Sequence, residues 1–288
     1  MSSTATVKNY LSLVKFSHTV FAMPFAAIGF LLAERELNFN INWLLALKVL
    51  LCMVFARTAA MAFNRWADYK FDALNPRTAI REIPAGTITS KNALMFTIIN
   101  CIAFVITTWF INELCFYLSF VALAVVLGYS YTKRFTALCH FILGLGLSLA
   151  PIGAYIAVTG KFSLLPILFS FLVLFWVSGF DIIYALQDEN FDKQNNLKSI
   201  PTLLGTKGAL ILSNLLHLIS ALLIITAGYV GGFGIIYFIG AAAFIGLLIY
   251  QHTLVKHNDL SKVNLAFFTT NGIASVMFAC FVFADLLN

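Results

Sequence analysis

Long apolar runs are the feature that most restricts the fold of this sequence. A helix needs about 20 predominantly apolar residues to cross a bilayer core of about 30 Å. The sequence offers nine such stretches, at 16–33, 43–69, 92–111, 114–131, 138–159, 163–187, 208–229, 231–251 and 264–286. Runs of this length are about twice as long as a strand of a membrane barrel. The sequence therefore predicts an all-α, polytopic membrane protein with nine transmembrane helices.

The composition of the 288 residues excludes the soluble classes of protein. Hydrophobic residues make up 61% of the chain and charged residues only 10%, whereas a soluble domain has about a quarter of its residues charged. The five cysteines lie scattered in apolar runs, so we expect neither a disulfide nor a zinc site. The net charge of +6 comes from basic residues in the gaps between apolar runs, which indicates membrane topology and no nucleic-acid partner.

Lysine and arginine are distributed unevenly between the two predicted faces of the membrane. Of the 18 basic residues, 14 fall on one face, Arg35, Lys48 and Lys161 fall on the other, and Arg57 lies inside the second stretch. The positive-inside rule then predicts a multi-pass protein with a cytoplasmic N-terminus, and we expect it in the cell inner membrane. The connections 70–91 and 188–207 are long, and long connections are usually functional. We interpret them as cytoplasmic cap loops of one membrane-embedded domain, residues 1–288.

Polar side chains recur at helical spacing in two places. Asn64, Asp68 and Asp72 are four residues apart at the cytoplasmic end of the second stretch, so they share one stripe of a helix. A second set, at offsets of 0, 3, 7 and 11, also selects a single helical face at the end of the sixth stretch: Asp181, Tyr184, Asp188 and Asp192. Both sets are predicted on the cytoplasmic side.

Carboxylates gathered near lipid need a neutralising partner. Magnesium takes oxygen ligands and is typically held by one or two carboxylates together with substrate phosphates. Two such stripes facing each other would bind two Mg²⁺ ions and a diphosphate. The predicted metal ligands are Asn64, Asp68, Asp72, Asp188 and Asp192.

Basic residues beside the acidic sets predict a phosphate site. Arg77 and Arg81 are spaced to form a clamp, and guanidinium groups match phosphate oxygens. Lys133 and Arg134 end the fourth stretch, with Tyr129 one turn earlier. Lys198 follows the second acidic set, and Lys193 flanks the same set. We expect Lys193 to serve only membrane topology. The other residues of this paragraph are predicted to contact the substrate.

Polar residues deeper in the apolar stretches predict where a second substrate binds. Arg57 lies seven residues before Asn64 on the same helical face, and Asp181 lies equally deep on the sixth stretch. These two residues either neutralise each other or contact a polar group of an acceptor. Lys15 and His18, on the first stretch, are further candidates for the acceptor pocket. The remaining histidines receive no role: His140, His217, His252 and His257.

Together these residues resemble the UbiA family of intramembrane aromatic prenyltransferases over nearly the whole chain. The matching patterns are N-D-x-x-D-x-x-x-D at Asn64, Asp68 and Asp72; R-T-x-x-R-x-x-x-x-G at Arg77, Thr78, Arg81 and Gly86; Y-x-x-x-K-R at Tyr129, Lys133 and Arg134; and D-x-x-Y-x-x-x-D-x-x-x-D with a trailing K-S at Asp181, Tyr184, Asp188, Asp192, Lys198 and Ser199. Arg65 stands where the first pattern usually has Asp, which leaves one acidic ligand fewer.

The resemblance implies a nine-helix bundle around a central cavity and a Mg²⁺-dependent transfer of a polyprenyl group. The donor would be an allylic polyprenyl diphosphate, and the acceptor would be an aromatic ring. Membrane lipid would surround the protein. Arg77, Arg81 and Lys133 would neutralise the departing diphosphate. Asp181 or Tyr184 would activate the acceptor ring as a base or a hydrogen-bonding group.

The resemblance leaves several acceptors open. The 4-hydroxybenzoate polyprenyltransferases are the first expectation, and a branch that prenylates a dihydroxynaphthoate for menaquinone is the alternative. The segment 15–24 and the dipeptide Asn64-Arg65 are similar to this pair of branches. Both acceptors carry a carboxylate, for which Arg57 or Lys15 is a suitable partner. Haem, chlorophyll and lipid acceptors are further alternatives.

A secondary transporter of an organic anion is the alternative from another class of protein. Transporters usually place ionisable groups near the membrane midplane on broken helices. Here the acidic sets lie at predicted helix ends, and Pro24, Pro151 and Pro166 have no such groups beside them. An enzyme is therefore the favoured interpretation.

Overall fold

A computed structural model describes residues 6–14 and 23–288 of the chain. Over these residues the structure is helical, and its one β feature is an isolated bridge between Lys256 and Asp259. The α-helices are α1 (Val7–Leu13), α2 (Met23–Glu36), α3 (Trp43–Leu74), α4 (Ser90–Trp109), α5 (Glu113–Thr132), α6 (Cys139–Thr159), α7 (Leu164–Ala185), α8 (Glu189–Gln194), α9 (Ile200–Val230), α10 (Ile235–Leu254) and α11 (Asn271–Leu286). A 3₁₀ turn (Leu186–Asp188) precedes α8, and a π-helical segment (Leu265–Thr270) precedes α11.

The predicted class, an all-α polytopic membrane protein, is confirmed, but the predicted count of nine spans is not matched. Among the described residues, eight helices are long and apolar enough to cross a membrane. The predicted first span, 16–33, is represented there only by α2, which has 14 residues. About 20 residues are needed to cross a bilayer, so α2 by itself does not qualify.

Two predicted loops are shorter than expected. Helix α3 continues to Leu74, so the first connection begins five residues later than the predicted 70–91. Most of the second connection, 188–207, is helical, because it contains α8 and the first turns of α9. Ser199 caps α9 through a reciprocal pair of hydrogen bonds with Thr202, and Pro201 follows in the first turn. These are strong signals for a helix start, and the polar composition of the segment concealed them.

The chain divides into two compact units, Met1–Thr19 with Leu44–Tyr131 and Val20–Trp43 with Thr132–Asn288. The prediction of one domain over residues 1–288, with a central cavity, stays a prediction. In the first unit, α1 and the connection after α3 pack on α3 and α4. Leu13, Ile83 and Ala93 belong to one apolar cluster there, and the Ser12 hydroxyl donates to Glu82 Oε1 at 2.5 Å. This packing fixes the connection that follows Leu74.

The second unit is built around α7, which packs against both α6 and α9. Its centre is a fully buried Trp176. The Trp176 ring contacts Phe25 and Phe244 at centroid distances of 5.3 and 5.5 Å, and its Nε1 donates to Asn271 Oδ1 at 3.1 Å. Aromatic packing of this kind, with the indole nitrogen satisfied, stabilises a helix bundle. This packing holds the C-terminal part of α7, where the second acidic set begins.

Helix α9 is broken near its start. Gly205 has φ +67° and ψ 171° inside the helix, a combination that is essentially restricted to glycine. The break separates a short first turn, which carries Ser199 and Thr202, from the long membrane-spanning part. The first turn of α9 can therefore follow its own direction beside α8.

Candidate functional site

The first acidic set lies at the end of α3. Because α3 is continuous through Leu74, residues four apart face the same way. Asn64 Nδ2 donates to Asp68 Oδ2 at 3.1 Å, which brings these two predicted ligands together on one stripe. Asp72 lies one turn further on and is buried. The structure therefore places all three residues on the helical face that the spacing predicted.

Asp72 is held by the connection that follows it. Arg81 Nη1 contacts Asp72 Oδ1 at 2.7 Å, and the Thr78 hydroxyl donates to the Asp72 carbonyl at 3.1 Å. Within the described part of the chain, the other carboxylate oxygen, Oδ2, is buried and has no hydrogen-bond partner. Leaving a buried carboxylate oxygen unsatisfied is costly. Asp72 therefore offers one oxygen of the kind that a cation would satisfy.

The two arginines of the predicted clamp differ in their surroundings. The Arg81 guanidinium is paired with Asp72, whereas Arg77 is exposed. The Arg77 backbone N–H donates to Asn75 Oδ1 at 3.0 Å, and this turn folds the connection back towards α3. A joint grip of Arg77 and Arg81 on phosphate stays a prediction.

The second acidic set does not lie on one continuous helical face, so that prediction was wrong. Helix α7 ends at Ala185, the 3₁₀ turn Leu186–Asp188 follows, and α8 begins at Glu189. A 3₁₀ turn has three residues per turn instead of 3.6. It therefore rotates Asp188 and Asp192 relative to Asp181 and Tyr184, and the set is split between α7 and the turn with α8.

Asp192 is the most enclosed carboxylate of the second set. Its side chain is 1% exposed, and Oδ2 contacts Lys133 Nζ at 2.8 Å and accepts from the Ser199 hydroxyl at 3.2 Å. Oδ1 is buried and, within residues 6–14 and 23–288, has no hydrogen-bond partner. Asp192 thus repeats the pattern of Asp72, since a cationic side chain holds one oxygen and the other is unsatisfied.

Lys133 remains charged in this environment. Burial by itself would lower its pKa, but the charge and hydrogen bond of Asp192, together with the charge of Asp188, outweigh burial and raise the pKa above its ordinary value. The backbone holds the same region together, because the Lys198 N–H donates to the Lys133 carbonyl at 2.7 Å. Lys133 therefore lies beside Asp192 of the second acidic set, and its predicted contact with a phosphate group stays a prediction.

Asp181 has a partner that sequence reasoning missed. His140 Nδ1 lies 2.7 Å from Asp181 Oδ2, and the two side chains are 3% and 14% exposed. His140 is the second residue of α6, and the sequence patterns assign it no role. The available signal was an ionisable side chain at the start of an apolar run, since such a group must find a partner inside the membrane. Its partner lies 41 residues away along the chain, a distance that periodicity does not reveal.

Tyr184 is set in an aromatic cluster with the π-helical segment. Its ring stacks on Phe267 at a centroid distance of 4.1 Å and meets Phe268 edge-on at 5.8 Å. Single π-helical turns are frequent at functional sites, and here the turn presents two consecutive phenylalanines to Tyr184. The cluster fixes the plane of the Tyr184 ring.

The other predicted substrate residues differ in exposure. Arg57 and Tyr129 are half-buried on α3 and α5, whereas Arg134 and Lys198 are exposed. Lys15 and His18 lie outside the described residues. A role for any of these residues with a substrate stays a prediction.

Each acidic set, taken by itself, offers oxygen ligands suited to a cation that also binds a substrate. Among the described residues, no group of three or more His, Cys, Asp or Glu side chains is gathered as a protein-only metal cage. Magnesium does not need one, because it usually keeps waters and binds one or two carboxylates plus phosphate oxygens. The unsatisfied Asp72 Oδ2 and Asp192 Oδ1 are hard oxygen donors of the required type.

Comparison with known protein sequences gives a consistent result. The model of the UbiA prenyltransferase family matches residues 22–273. A 4-hydroxybenzoate octaprenyltransferase of Tolumonas auensis is 31% identical over 223 residues, which are 77% of this chain and 78% of that protein. The enzyme of the same name from Aliivibrio fischeri strain ATCC 700601 / ES114 is 31% identical over 238 residues, or 82% and 83% of the two chains.

Solved structures share the fold. The apo structure of a UbiA homolog from Aeropyrum pernix K1 superposes with a TM-score of 0.84 at 30% identity and covers 93% of this chain and 98% of that one. A UbiA homolog from Archaeoglobus fulgidus bound to DMAPP and Mg²⁺ gives a TM-score of 0.77 at 22% identity, with 97% and 99% covered. At that identity the second likeness shows the fold alone.

Proposed function

Because the chain belongs to the UbiA prenyltransferase family, we propose that it transfers a polyprenyl group from an allylic polyprenyl diphosphate to 4-hydroxybenzoate with the help of Mg²⁺. The relatives named 4-hydroxybenzoate octaprenyltransferase support this acceptor. The observation that carries the proposal is shared by both acidic motifs. Asp72 and Asp192 are buried, each is held by a cationic side chain through one oxygen, and each has an unsatisfied second oxygen.

The proposed metal ligands are Asn64, Asp68 and Asp72 of the first motif and Asp188 and Asp192 of the second. Bound Mg²⁺ would neutralise the diphosphate oxygens as the allylic C–O bond weakens. Arg77, Arg81 and Lys133 supply positive charge for the same leaving group, and guanidinium forks bind phosphate oxygens in pairs. Tyr129, Arg134 and Lys198 are proposed as further substrate-binding groups.

The reaction balances without any other reactant. The C–O bond of the donor breaks and its electron pair leaves with diphosphate, which gives an allylic cation. A ring carbon of the acceptor attacks the cation, and the new C–C bond is followed by loss of the ring proton. Asp181 or Tyr184 would accept a hydrogen bond or proton from the acceptor. Apolar side chains of the membrane helices would keep water from the cation.

The orientation of the chain is part of the proposal. Fourteen of the 18 basic residues lie on one predicted face, and the positive-inside rule makes that face cytoplasmic. We place the N-terminus and the acidic motifs on the cytoplasmic side of the cell inner membrane. Arg57 and Lys15 are proposed partners of the acceptor carboxylate, and the prenyl tail would leave into membrane lipid.

A competition assay tests the acceptor. Purified protein in lipid nanodiscs is given a polyprenyl diphosphate, Mg²⁺ and equal amounts of 4-hydroxybenzoate and a dihydroxynaphthoate. Prenylated 4-hydroxybenzoate as the main product supports the proposal. Prenylation of the naphthoate alone would overturn the choice of acceptor and assign the chain to menaquinone synthesis, while product from neither ring would overturn aromatic prenyl transfer.

A further inference from the structure

We propose that His140 is a positioning residue that holds the Asp181 carboxylate in place for the hydroxyl group of the aromatic acceptor. This inference rests on the proposed function, because it needs an acceptor that Asp181 serves. It goes beyond the motif residues, since His140 lies on α6 and outside each of the sequence patterns. His140 would not touch the substrate itself and would act through Asp181.

The contact between His140 and Asp181 is enclosed by the packing of α6 on α7. His140 Nδ1 lies 2.7 Å from Asp181 Oδ2, and the His140 side chain is 3% exposed while that of Asp181 is 14% exposed. The Ser178 hydroxyl of α7 also donates to the His140 carbonyl of α6 at 3.2 Å. Asp181 therefore keeps some access while its partner has almost none, as expected for a reacting group and its support.

The hydrogen bond at the second ring nitrogen of His140 assigns the tautomer. The Ile200 backbone N–H donates to His140 Nε2 at 3.3 Å, so Nε2 acts as an acceptor and carries no proton. In a neutral imidazole the other nitrogen then carries the hydrogen. His140 Nδ1–H therefore donates to Asp181 Oδ2. Oδ1 of Asp181 is the oxygen that would accept from the acceptor hydroxyl.

The same hydrogen bonds join the two ends of the second motif. Ile200, which donates to His140, directly follows Ser199, whose hydroxyl donates to Asp192 Oδ2. Asp192 also keeps its own contact with Lys133. A change at His140 should therefore act first on Asp181 and on the acceptor, while the contacts of Asp192 on the donor side persist.

Two substitutions separate the two nitrogen atoms of the ring. In His140→Asn the side-chain amide nitrogen can take the place of Nδ1 and keep the donor to Asp181. In His140→Gln the amide lies near the position of Nε2, so the donor to Asp181 is lost. Loss of a hydrogen bond to a charged group should lower kcat/KM for the acceptor about 10- to 100-fold in His140→Gln. His140→Asn should recover most of this loss, and KM for the donor should not change in either variant.

His252→Asn is the matched control. His252 Nε2 lies 2.8 Å from His217 Nδ1 in another contact between membrane helices of the same unit, and neither residue has a role in the proposed reaction. This variant should stay within about twofold of the wild type, because distant sites act independently. Thermal unfolding in detergent is measured for all variants so that turnover is compared between folded proteins.

An independent readout is the ¹⁵N NMR spectrum of ring-labelled histidine in the wild-type protein, assigned with His140→Asn. We expect the neutral Nδ1–H tautomer for His140, and an Nε2–H tautomer would overturn the proposal. An unchanged kcat/KM for the acceptor in His140→Gln would also overturn the proposal. So would a loss of kcat/KM in folded His140→Asn as large as that in His140→Gln. If the wild type transfers no prenyl group to any aromatic acceptor, the proposed function fails instead, and the NMR result still decides the hydrogen bond.

Discussion

Lys133 and Asp192 form an enclosed ion pair, with Lys133 Nζ 2.8 Å from Asp192 Oδ2 and the two side chains 33% and 1% exposed. The pair connects the segment between α5 and α6 with α8, and the Lys198–Lys133 backbone hydrogen bond runs beside it. Removing one partner of such a pair leaves an uncompensated buried charge. The pair is therefore part of the framework of the second acidic motif as well as a proposed phosphate contact.

Removal of the Lys133 charge should destabilise the protein. Lys133→Met leaves Asp192 buried without its cation, and the expected loss is about 1–3 kcal/mol of unfolding free energy, since Lys133 is partly exposed. Asp192→Asn in the same background should restore part of the loss. The double-mutant cycle is measured by denaturant unfolding in detergent.

The matched control for this cycle is Lys193→Met. Lys193 pairs with Glu189 at 2.6 Å at an exposed position on α8, where an ion pair contributes about 0–1 kcal/mol. An equal loss of unfolding free energy in Lys193→Met and Lys133→Met would contradict a larger contribution from the buried pair.

The contribution of Lys133 to stability should also depend on pH. Because the pKa of Lys133 is raised above its ordinary value of 10.5, its stabilising effect is fully present below that value. It should disappear as the pH rises through the pKa of the folded state.

Asp72→Asn tests the first acidic motif. The amide is nearly isosteric but lacks the negative charge, so it cannot bind Mg²⁺ and Arg81 as the carboxylate does. We expect prenyl transfer to fall by at least about 100-fold at saturating donor, with the Mg²⁺ titration shifted to higher concentration. Asp259→Asn is the control, because Asp259 lies in a turn and accepts from the Ser261 N–H. Unchanged Mg²⁺ dependence in Asp72→Asn would remove Asp72 from the metal site.

Gly144→Ala tests the packing that brings His140 to Asp181. Gly144 lies one turn after His140 on α6, and a Cβ there would stand 2.4 Å from the Leu174 carbonyl oxygen and 2.5 Å from Ser178 Oγ on α7. The helices must move apart, at an expected cost of about 1–3 kcal/mol, and turnover of the acceptor should fall with it.

Gly153→Ala on the same helix is its control. A Cβ at Gly153 meets no atom within 4 Å, and alanine is the better helix former by about 1 kcal/mol. Gly153→Ala should therefore leave the stability unchanged or slightly higher. Thermal unfolding and acceptor turnover are compared for both variants, and similar behaviour of the two would show that the close approach of α6 and α7 is not required.

Gly205→Ala tests the break in α9. The backbone at Gly205 has φ +67° and ψ 171°, which costs a residue with a Cβ about 1–3 kcal/mol. The first turn of α9 should shift and weaken the contact of Ser199 with Asp192. Gly246→Ala on α10, where a Cβ meets no atom within 4 Å, should have no such effect. Equal stability of the two variants would contradict the strain assigned to Gly205.

Sequence periodicity predicted those parts of the site that lie on one continuous helix. Asn64 and Asp68 meet on α3 because a spacing of four on an unbroken helix leaves little choice. The same reasoning failed for Asp188 and Asp192, because a 3₁₀ turn interrupts α7 before them. Nothing in the spacing distinguishes the two cases.

Contacts between distant segments were beyond sequence reasoning. His140 meets Asp181 only after α6 packs on α7, and Tyr184 meets Phe267 only through the π-helical segment. The membrane-protein class was secure because length and apolarity alone decide it. The polar segment 188–207 resembles a loop in its composition because α8 has only six residues and the residues that cap α9 are also common in turns.

The most direct test of the central claim is the stoichiometry of the reaction in nanodiscs. With ¹⁴C-labelled polyprenyl diphosphate, 4-hydroxybenzoate and Mg²⁺, we expect diphosphate and prenylated 4-hydroxybenzoate to appear in equal amounts. Both products should vanish when EDTA removes the metal and in Asp72→Asn and Asp192→Asn. Release of diphosphate without a prenylated ring, or equal product formation in EDTA, would contradict Mg²⁺-dependent prenyl transfer by this protein.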